Sequence, residues 1–292
     1  MTTFRVRHRT SYSYDRPVGF GLHQLMMRPR DGHDMRLLAS SLAVTPHADV
    51  RWAFDTFGNS IALLSFSEAA DELVIQSELT LRRYGYDDPV PRLARHTGPY
   101  PFAYEAEDGV DLAPMLTLQH PGDRTAVEEW MAASLPVPPG ETIGVLDALC
   151  RAIHSGFAYG RRELRGVQSP AETITLARGT CRDFALLFME AARGLGFAAR
   201  FVTGYLYDPA RIETAEETLS GGGATHAWAD VFVPGAGWVE FDPTNRIVAG
   251  RNLIRVATTR MPSQALPLCG TFNGPGATCL GMDVHVSVEG LE

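Results

Sequence analysis

A cysteine, a histidine and an aspartate stand where a nucleophile, a base and an orienting carboxylate could act together. Cys181 is the first residue of a predicted helix, in which the apolar residues from Phe184 to Leu195 recur at helical spacing. The sulfur would then lie at a helix N-terminus, where free backbone N–H groups and the helix dipole favour the thiolate. Because free cysteines are also often buried and inert, this interpretation needs a base and an orienting group nearby.

His226 is the candidate base and Asp242 the candidate orienting carboxylate. His226 begins one predicted strand and Asp242 ends the next. Taken singly, a strand histidine is more often structural, and an aspartate before proline commonly forms a turn. A hairpin loop of three or five residues would set Trp228 opposite Asp242 and place His226 diagonally to it on the same face. A four-residue loop would put the His226 and Asp242 side chains on opposite faces of the sheet. The catalytic interpretation therefore predicts a loop with an odd number of residues, or a bulge, around 234–237.

The elements that must position these residues fall into regions of different periodicity. From Phe4 to about Tyr86, apolar residues alternate with polar ones between turn signals, which predicts an antiparallel β-sandwich domain over 1–86. Residues 87–122 contain six prolines and little periodicity, which predicts an extended linker on the protein surface.

Helical and then strand patterns follow within 123–292, which we expect to form a second domain that includes the C-terminal strands. Helices are predicted over 125–134, 141–155, from Ser169-Pro170 onwards and from 181 to about 195. Strands are predicted over 198–207, 226–233, 238–242, 253–257 and 280–288. The fold class is therefore α+β, with helices packed on an antiparallel sheet after the β-sandwich.

Composition excludes several classes of protein. The 292 residues carry 26 Lys+Arg and 34 Asp+Glu, a net charge of −8, which argues against nucleic-acid binding. Apolar stretches such as Ile61–Leu64 are far shorter than the ~18 residues of a membrane helix, and the first residues contain no apolar signal segment. The four cysteines show neither C-x-x-C pairs nor metal-ligand spacing, and no nucleotide-binding glycine motif occurs. We expect a cytoplasmic protein with free thiols, without metal or cofactor, and without membrane or nucleic-acid partners.

Three motifs resemble those of the bacterial transglutaminase-like superfamily. They are GTCRDFA at 179–185, THAW at 225–228 and GWVEFDPTN at 237–245, in the order Cys, His, Asp. The segments at 12–18, 28–30 and 55–59 resemble the β domain that precedes this core in the subfamily of transglutaminase-like cysteine proteases. The resemblance implies a transglutaminase/papain-like core and a Cys181-His226-Asp242 triad, whose thiolate attacks an amide carbonyl to form a thioester.

Further residues are predicted to lie beside the substrate. Trp228 and Trp238 are candidates for the walls of an acyl channel, although core packing is the alternative for at least one of them. The oxyanion would be bound by the backbone N–H of Cys181 and by a second donor, for which Tyr159 and Gln168 are candidates.

Two departures from the family pattern are expected near the substrate path. Arg182 stands where the family usually has glutamine, and 258–264 replaces the family's acidic and aromatic stretch. An unusual substrate and a degraded site are the alternatives that these departures leave open.

Three functions remain open from the sequence. The first is a thiol hydrolase, a peptidase or amidase acting on peptide or isopeptide bonds with water as the acceptor. The second is a transamidating enzyme on the same core, which needs an apolar tunnel that admits an amine and excludes water. The third is a non-catalytic binding scaffold in which Cys181 is merely buried. The resemblance implies a peptide or protein substrate and an ATP-grasp-type peptide ligase as a partner.

Overall fold

Alternating apolar residues build a β-sandwich from the first strands of the chain. The computed structural model describes residues 2–84, 90–95, 97–135, 140–160, 166–208, 219–220 and 223–291. Its first strands are β1 (Thr2–Phe20), β2 (His23–Arg28), β3 (Met35–Thr45), β4 (Ala48–Phe54), β5 (Ser60–Phe66) and β6 (Ala70–Arg83). One sheet contains β1, β6 and β3, and the other contains β2, β5 and β4. Phe20, Leu25, Leu64 and Ile75 meet between the sheets in one buried cluster, as the predicted sandwich requires.

Helices and a second antiparallel sheet follow. The helices are α1 (Val90–Ala94), α2 (Ala106–Leu116), α3 (Arg124–Ser134), α4 (Thr142–Gly156), α5 (Pro170–Leu176) and α6 (Cys181–Gly194). The strands are β7 (Ala158–Tyr159), β8 (Arg178–Gly179), β9 (Ala198–Leu206), β10 (His226–Val233), β11 (Gly237–Asp242), β12 (Ile247–Val248) and β13 (Leu253–Thr259). The sheet has the order β12-β11-β10-β9-β13. Helices and strands predicted from periodicity between 125 and 257 are confirmed, most of them within a residue or two.

The proline-rich segment is partly helical. Helices α1 and α2 lie within 87–122, so the prediction that this whole segment is extended is wrong. Pro91 is the second residue of α1, a position where its missing N–H costs nothing, and Pro114 lies two residues before the end of α2.

Within the described ranges, no helix combines the length and the apolarity needed to cross a lipid bilayer.

The last strands return to the sandwich. They are β14 (Leu268–Cys269), β15 (Phe272–Asn273) and β16 (Cys279–Leu291), of which β14 pairs with β2 and the other two pair with β1. The expectation that these strands belong to the second domain is therefore wrong, because strand alternation identifies a strand without identifying its partner. The domain limits at 86 and 122 stay predictions.

Helix α6 packs on the second sheet and forms the centre of its core. Phe184 and Phe188 share one buried cluster with Ala227, Ala229 and Phe241. The rings of Phe188 and Phe241 are stacked with centroids 5.4 Å apart. Small alanines on β10 let the helix approach the sheet closely, so the first residue of α6 is held in a fixed position relative to β10.

The sandwich is fixed to the sheet by apolar and polar contacts. Phe4 and Leu81 are buried in one cluster with Tyr205 and Ile254 of β9 and β13. Asn59 pairs with the backbone of Thr258, donating to its carbonyl at 2.7 Å and accepting from its N–H at 2.9 Å. The turn at 55–59 therefore connects the sandwich to β13.

Candidate active site

Cys181 is the first residue of α6, and a capping box fixes this end of the helix. The Thr180 side chain accepts a hydrogen bond from the Asp183 N–H, and the Asp183 carboxylate accepts one from the Thr180 N–H at 2.8 Å. Asp183 is fully buried and also accepts from the Gln168 N–H at 2.7 Å. Asp183 therefore has a structural role, and the backbone of Cys181 is held at the positive end of the helix dipole.

His226 and Asp242 meet on adjacent strands of the sheet. Strand β10 pairs with β11 from Ala229–Phe241 to Val233–Gly237, so the connecting loop has the three residues 234–236. The predicted odd loop is confirmed, and this register puts His226 and Asp242 on one face. Nε2 of the imidazole lies 2.8 Å from Oδ2 of the carboxylate, and both side chains are fully buried.

Asp242 is held in its charged form. Burial alone would raise its pKa, but His226, the Asn245 amide and the Thr244 N–H together lower the pKa below the ordinary value. The Thr244 N–H donates to Oδ1 at 2.9 Å. The carboxylate is therefore available as a fixed negative partner for the imidazole.

The imidazole of His226 is held in its protonated form. Burial opposes the imidazolium, but the Asp242 carboxylate and then the Cys181 thiol outweigh it and raise the pKa of His226 to about 10. Because Nε2 is bonded to Asp242, Nδ1 is the nitrogen left for the sulfur. The Cys181 thiol therefore lies near enough to raise the pKa of His226, whose Nδ1 has no hydrogen-bond partner among the described residues, and the Cys181–His226–Asp242 triad stays a prediction.

Asn245 is a site residue that the sequence interpretation did not single out. Its Nδ2 donates to Oδ2 of Asp242 at 2.9 Å and lies 3.5 Å from Nε2 of His226. Its Oδ1 accepts from the Ser220 N–H at 2.7 Å, and its Nδ2 also donates to the Ser220 carbonyl at 3.1 Å. The available signal was an amide side chain three residues after the orienting carboxylate, in the turn that ends β11.

Replacing Asn245 with alanine is expected to slow alkylation of Cys181 by iodoacetamide about tenfold at pH 5, because a charge-assisted hydrogen bond to Asp242 is lost. Without it the pKa of Asp242 rises, so the acid-side fall in alkylation should move to higher pH. The rate is measured by mass spectrometry from pH 4 to pH 8. Asn252→Ala, which removes an amide bonded to the Tyr207 carbonyl at 2.7 Å, is the matched control. A lower melting temperature with an unchanged pH profile would mean that Asn245 is only structural.

The structure brings one of the two predicted tryptophans close to His226, the candidate base. Trp228 is fully buried with Val202 and Leu206, and its ring centre lies 6.0 Å from that of His226. Trp238 lies four residues before Asp242 on β11, about 13 Å along the strand, and its ring packs under the Arg200 guanidinium at 4.0 Å. A role beside the acyl group therefore stays a prediction for Trp228, while Trp238 packs elsewhere.

The two candidate oxyanion donors lie next to the start of α6. In the amide orientation that satisfies its neighbours, the Gln168 nitrogen donates to the Arg178 carbonyl at 3.1 Å and to Oδ2 of Asp183 at 3.3 Å. Tyr159 is half-buried with its ring edge-on to Phe184, at 6.4 Å between centroids. The Gln168 amide thus supports the capping box, and oxyanion binding by either residue stays a prediction.

The two departures from the family pattern contact each other. Arg182 donates to the Pro262 carbonyl at 2.6 Å, and its guanidinium lies 5.0 Å from the centre of the Phe201 ring. Burial lowers the pKa of Arg182, although the neighbouring Cys181 and Asp183 oppose this change. Arg182 therefore connects the segment 258–264 to helix α6, so the two departures from the family pattern are hydrogen-bond partners.

Chemically, the site offers a nucleophile, a proton donor and acceptor, and an orienting carboxylate. In the described part of the chain, no group of three or more His, Cys, Asp or Glu side chains is arranged to hold a metal ion. The arrangement fits acyl transfer through a thioester, in which an oxyanion is bound at a helix N-terminus.

Comparisons with known proteins identify the fold and the family. Residues 4–82 match the bacterial transglutaminase-like N-terminal region, and residues 136–243 match the transglutaminase-like superfamily. An uncharacterised protein of Mycobacterium tuberculosis is 31% identical over 302 residues, covering 99% of this chain and 93% of that protein. One of Mycobacterium leprae is 25% identical over 294 residues, covering 98% and 99%.

A solved structure shares the architecture over the whole chain. It is that of a Cytophaga hutchinsonii protein proposed to be a cysteine protease, with 21% identity and a TM-score of 0.74. The match covers 100% of this chain and 91% of that one, so the sandwich and the second sheet occur together in both. The two matched regions follow each other in the same order as the sandwich and the second sheet. The chain therefore belongs to the transglutaminase-like superfamily and carries that superfamily's bacterial N-terminal region.

Proposed function

We propose that this chain is a thiol hydrolase that cleaves peptide or isopeptide bonds through a thioester on Cys181. The observation that carries the proposal is the buried His226–Asp242 pair, at 2.8 Å, beside a cysteine at a helix N-terminus. A free buried cysteine would need no such pair, and a buried ion pair without a function is costly to maintain. Membership in the transglutaminase-like superfamily supports a cysteine enzyme of this general kind.

The proposed reaction has two halves, formation of the thioester and its hydrolysis, and Cys181 and His226 act in both. Nδ1 of the His226 imidazolium carries the proton that Cys181 has given up, and the thiolate attacks the substrate carbonyl carbon to form a tetrahedral oxyanion beside the Cys181 backbone N–H. The C–N bond then breaks, and the imidazolium gives its proton to the leaving amine. Water attacks the thioester in the second half and gives a proton to His226. The C–S bond breaks, a carboxylic acid leaves, and the thiolate and imidazolium are restored. Asp242 holds the imidazole throughout.

Transamidation is the second candidate, and the burial of the site favours it. Cys181 is only 7% exposed and the adjacent Trp228 is fully buried. A site that excludes water gives an amine more time to resolve the thioester. Hydrolysis remains the leading proposal because water is the most concentrated acceptor.

The two acceptors are distinguished by the mass of the product. A glutamine-containing peptide is incubated with the chain, with and without a primary amine, and analysed by mass spectrometry. Hydrolysis predicts a glutamate product or a cleaved peptide in both samples. A predominant amine adduct would instead establish the transamidase.

Alkylation of the cysteines tests whether the site is active at all. At pH 6 we expect iodoacetamide to modify Cys181 at least about tenfold faster than the exposed Cys269, because an imidazolium stabilises the thiolate. Burial and the nearby Asp242 raise the pKa of Cys150 well above its ordinary value, so Cys150 should stay unmodified. Peptide mapping gives all these rates from one sample. Slower alkylation of Cys181 than of Cys269 would favour the non-catalytic scaffold.

A further inference from the structure

A cleft of about 1140 Å³ lies between the sandwich and the second sheet. Its walls are formed by the turns at 30–34 and 57–59 on one side, and by 235–240 and 255–258 on the other. The volume lies above the ~300–1000 Å³ that is typical of small-molecule pockets. None of the three triad residues lines the cleft, so it is separate from the candidate active site.

Two deeply buried charged residues form the back of this cleft. Arg83, 4% exposed, donates to Asp34 at 2.5 Å and also to Glu240, which is 6% exposed. Arg255 lies 3.1 Å from Asp34 and 3.6 Å from Glu240. The four side chains join the sandwich to β11 and β13, and all of them line the cleft.

One polar atom of each deeply buried residue lacks a hydrogen-bond partner. These atoms, for which no described residue supplies a hydrogen bond, are Oε1 of Glu240, which lies 3.6 Å from Nη1 of Arg255, and Nε of Arg83. Both atoms are shielded from solvent, so the cluster is incompletely paired but these two atoms do not themselves contact an occupant of the cleft.

The charge of the lining favours an acidic peptide. The lining contains five arginines, of which Arg200 is paired with Asp230 at 2.9 Å, against Asp31, Asp34 and Glu240, in a chain whose net charge is −8. The Arg30 guanidinium is exposed and held by neutral groups, donating to the Gly58 carbonyl at 2.7 Å and lying over the Phe54 ring. An excess of arginine in the cleft of an acidic protein attracts carboxylates and repels cations.

We propose that this cleft binds an acidic peptide segment of the substrate, away from the bond that is cleaved. The proposal rests on the proposed function, since a peptide substrate is what the site would process. The cleft and the active site share β11, on which Glu240 and Asp242 point to the same face about 7 Å apart. The cleft and the candidate site therefore lie on one face of the same strand.

Fluorescence anisotropy of labelled peptides tests the proposal. The full-length Cys181→Ala chain is titrated into a ten-residue peptide containing four glutamates, and into a matched peptide with glutamines in their place. We expect at least about tenfold tighter binding of the glutamate peptide, weakening as salt is raised. Equal affinities, or no binding of either peptide, would overturn the proposal.

Charge reversal locates the binding in the cleft. Arg30→Glu is expected to weaken binding of the glutamate peptide about tenfold, while Arg51→Glu, an exposed arginine outside the cleft, should leave it unchanged. Equal effects of the two variants would mean non-specific attraction and contradict the assignment. Circular dichroism confirms the folding of each variant. Alkylation of Cys181 in the unsubstituted chain is scored separately, so a failed cleft is distinguished from a failed active site.

Discussion

Replacing Cys181 with alanine is expected to lower the rate of amide-bond cleavage by at least about 10⁴-fold, because the covalent route through the thioester is lost. No other described thiol can take its place. Cys150 is fully buried, its Sγ donates to the backbone carbonyl of Asp242 at 3.3 Å, and burial raises its pKa. Cys269 and Cys279 belong to strands that pair with the sandwich. Binding and oxyanion stabilisation alone would account for the small residual rate.

The same variant separates chemistry from folding. Alanine retains the helical propensity of the first residue of α6 and leaves the Thr180–Asp183 capping box intact, so the melting temperature should change by only a few degrees. Cys269→Ser, at an exposed position, is the matched control and should retain full activity. Activity that survives in Cys181→Ala, at equal folded fraction, would contradict the assignment of the nucleophile.

The relation of His226 to Asp242 was predictable because it depends on local geometry. Strand alternation has a period of two, so the parity of a short loop decides whether two residues share a face. The position of Cys181 followed in the same way, since helical periodicity begins at that residue and Thr180 supplies the N-cap. Both inferences need only neighbouring residues in the sequence.

Several features that the sequence did not predict depend on long-range pairing. The alternation in 280–288 identifies a strand, but its pairing with β1 joins residues as distant as Thr3 and Leu291. The contact between Arg182 and the Pro262 carbonyl likewise spans two segments that looked like separate anomalies. The cleft could not be inferred either, because its walls come from both sheets and exist only when the sheets are packed together.

Replacing Asp242 with asparagine is expected to lower the cleavage rate about 10³- to 10⁴-fold, because the amide neither fixes the reactive imidazole tautomer nor stabilises the imidazolium. The pH dependence should change as well. In the unsubstituted chain the pKa of His226 is raised to about 10, so the imidazolium that protonates the leaving amine should persist until the pH approaches 10. Without the Asp242 charge, burial dominates and lowers the pKa of His226. The alkaline fall in the rate of amide-bond cleavage should therefore move to lower pH, while the control Asp283→Asn, at an exposed position on β16, keeps the original profile.

The stability of the folded chain should depend on the ionisation of His226 and Asp242, which respond to pH in opposite directions. The raised pKa of His226 means that its contribution is complete below the unfolded pKa of about 6.5 and is lost as the pH rises towards 10. The lowered pKa of Asp242 means that its contribution is complete above about 3.9 and is lost as the pH falls below that value. The difference in melting temperature between the unsubstituted chain and Asp242→Asn should therefore be largest between about pH 4 and 6.5 and shrink on either side. A difference that stays constant from pH 3 to pH 10 would mean that the two side chains do not form an ion pair, and the thiolate–imidazolium mechanism would lose its electrostatic basis.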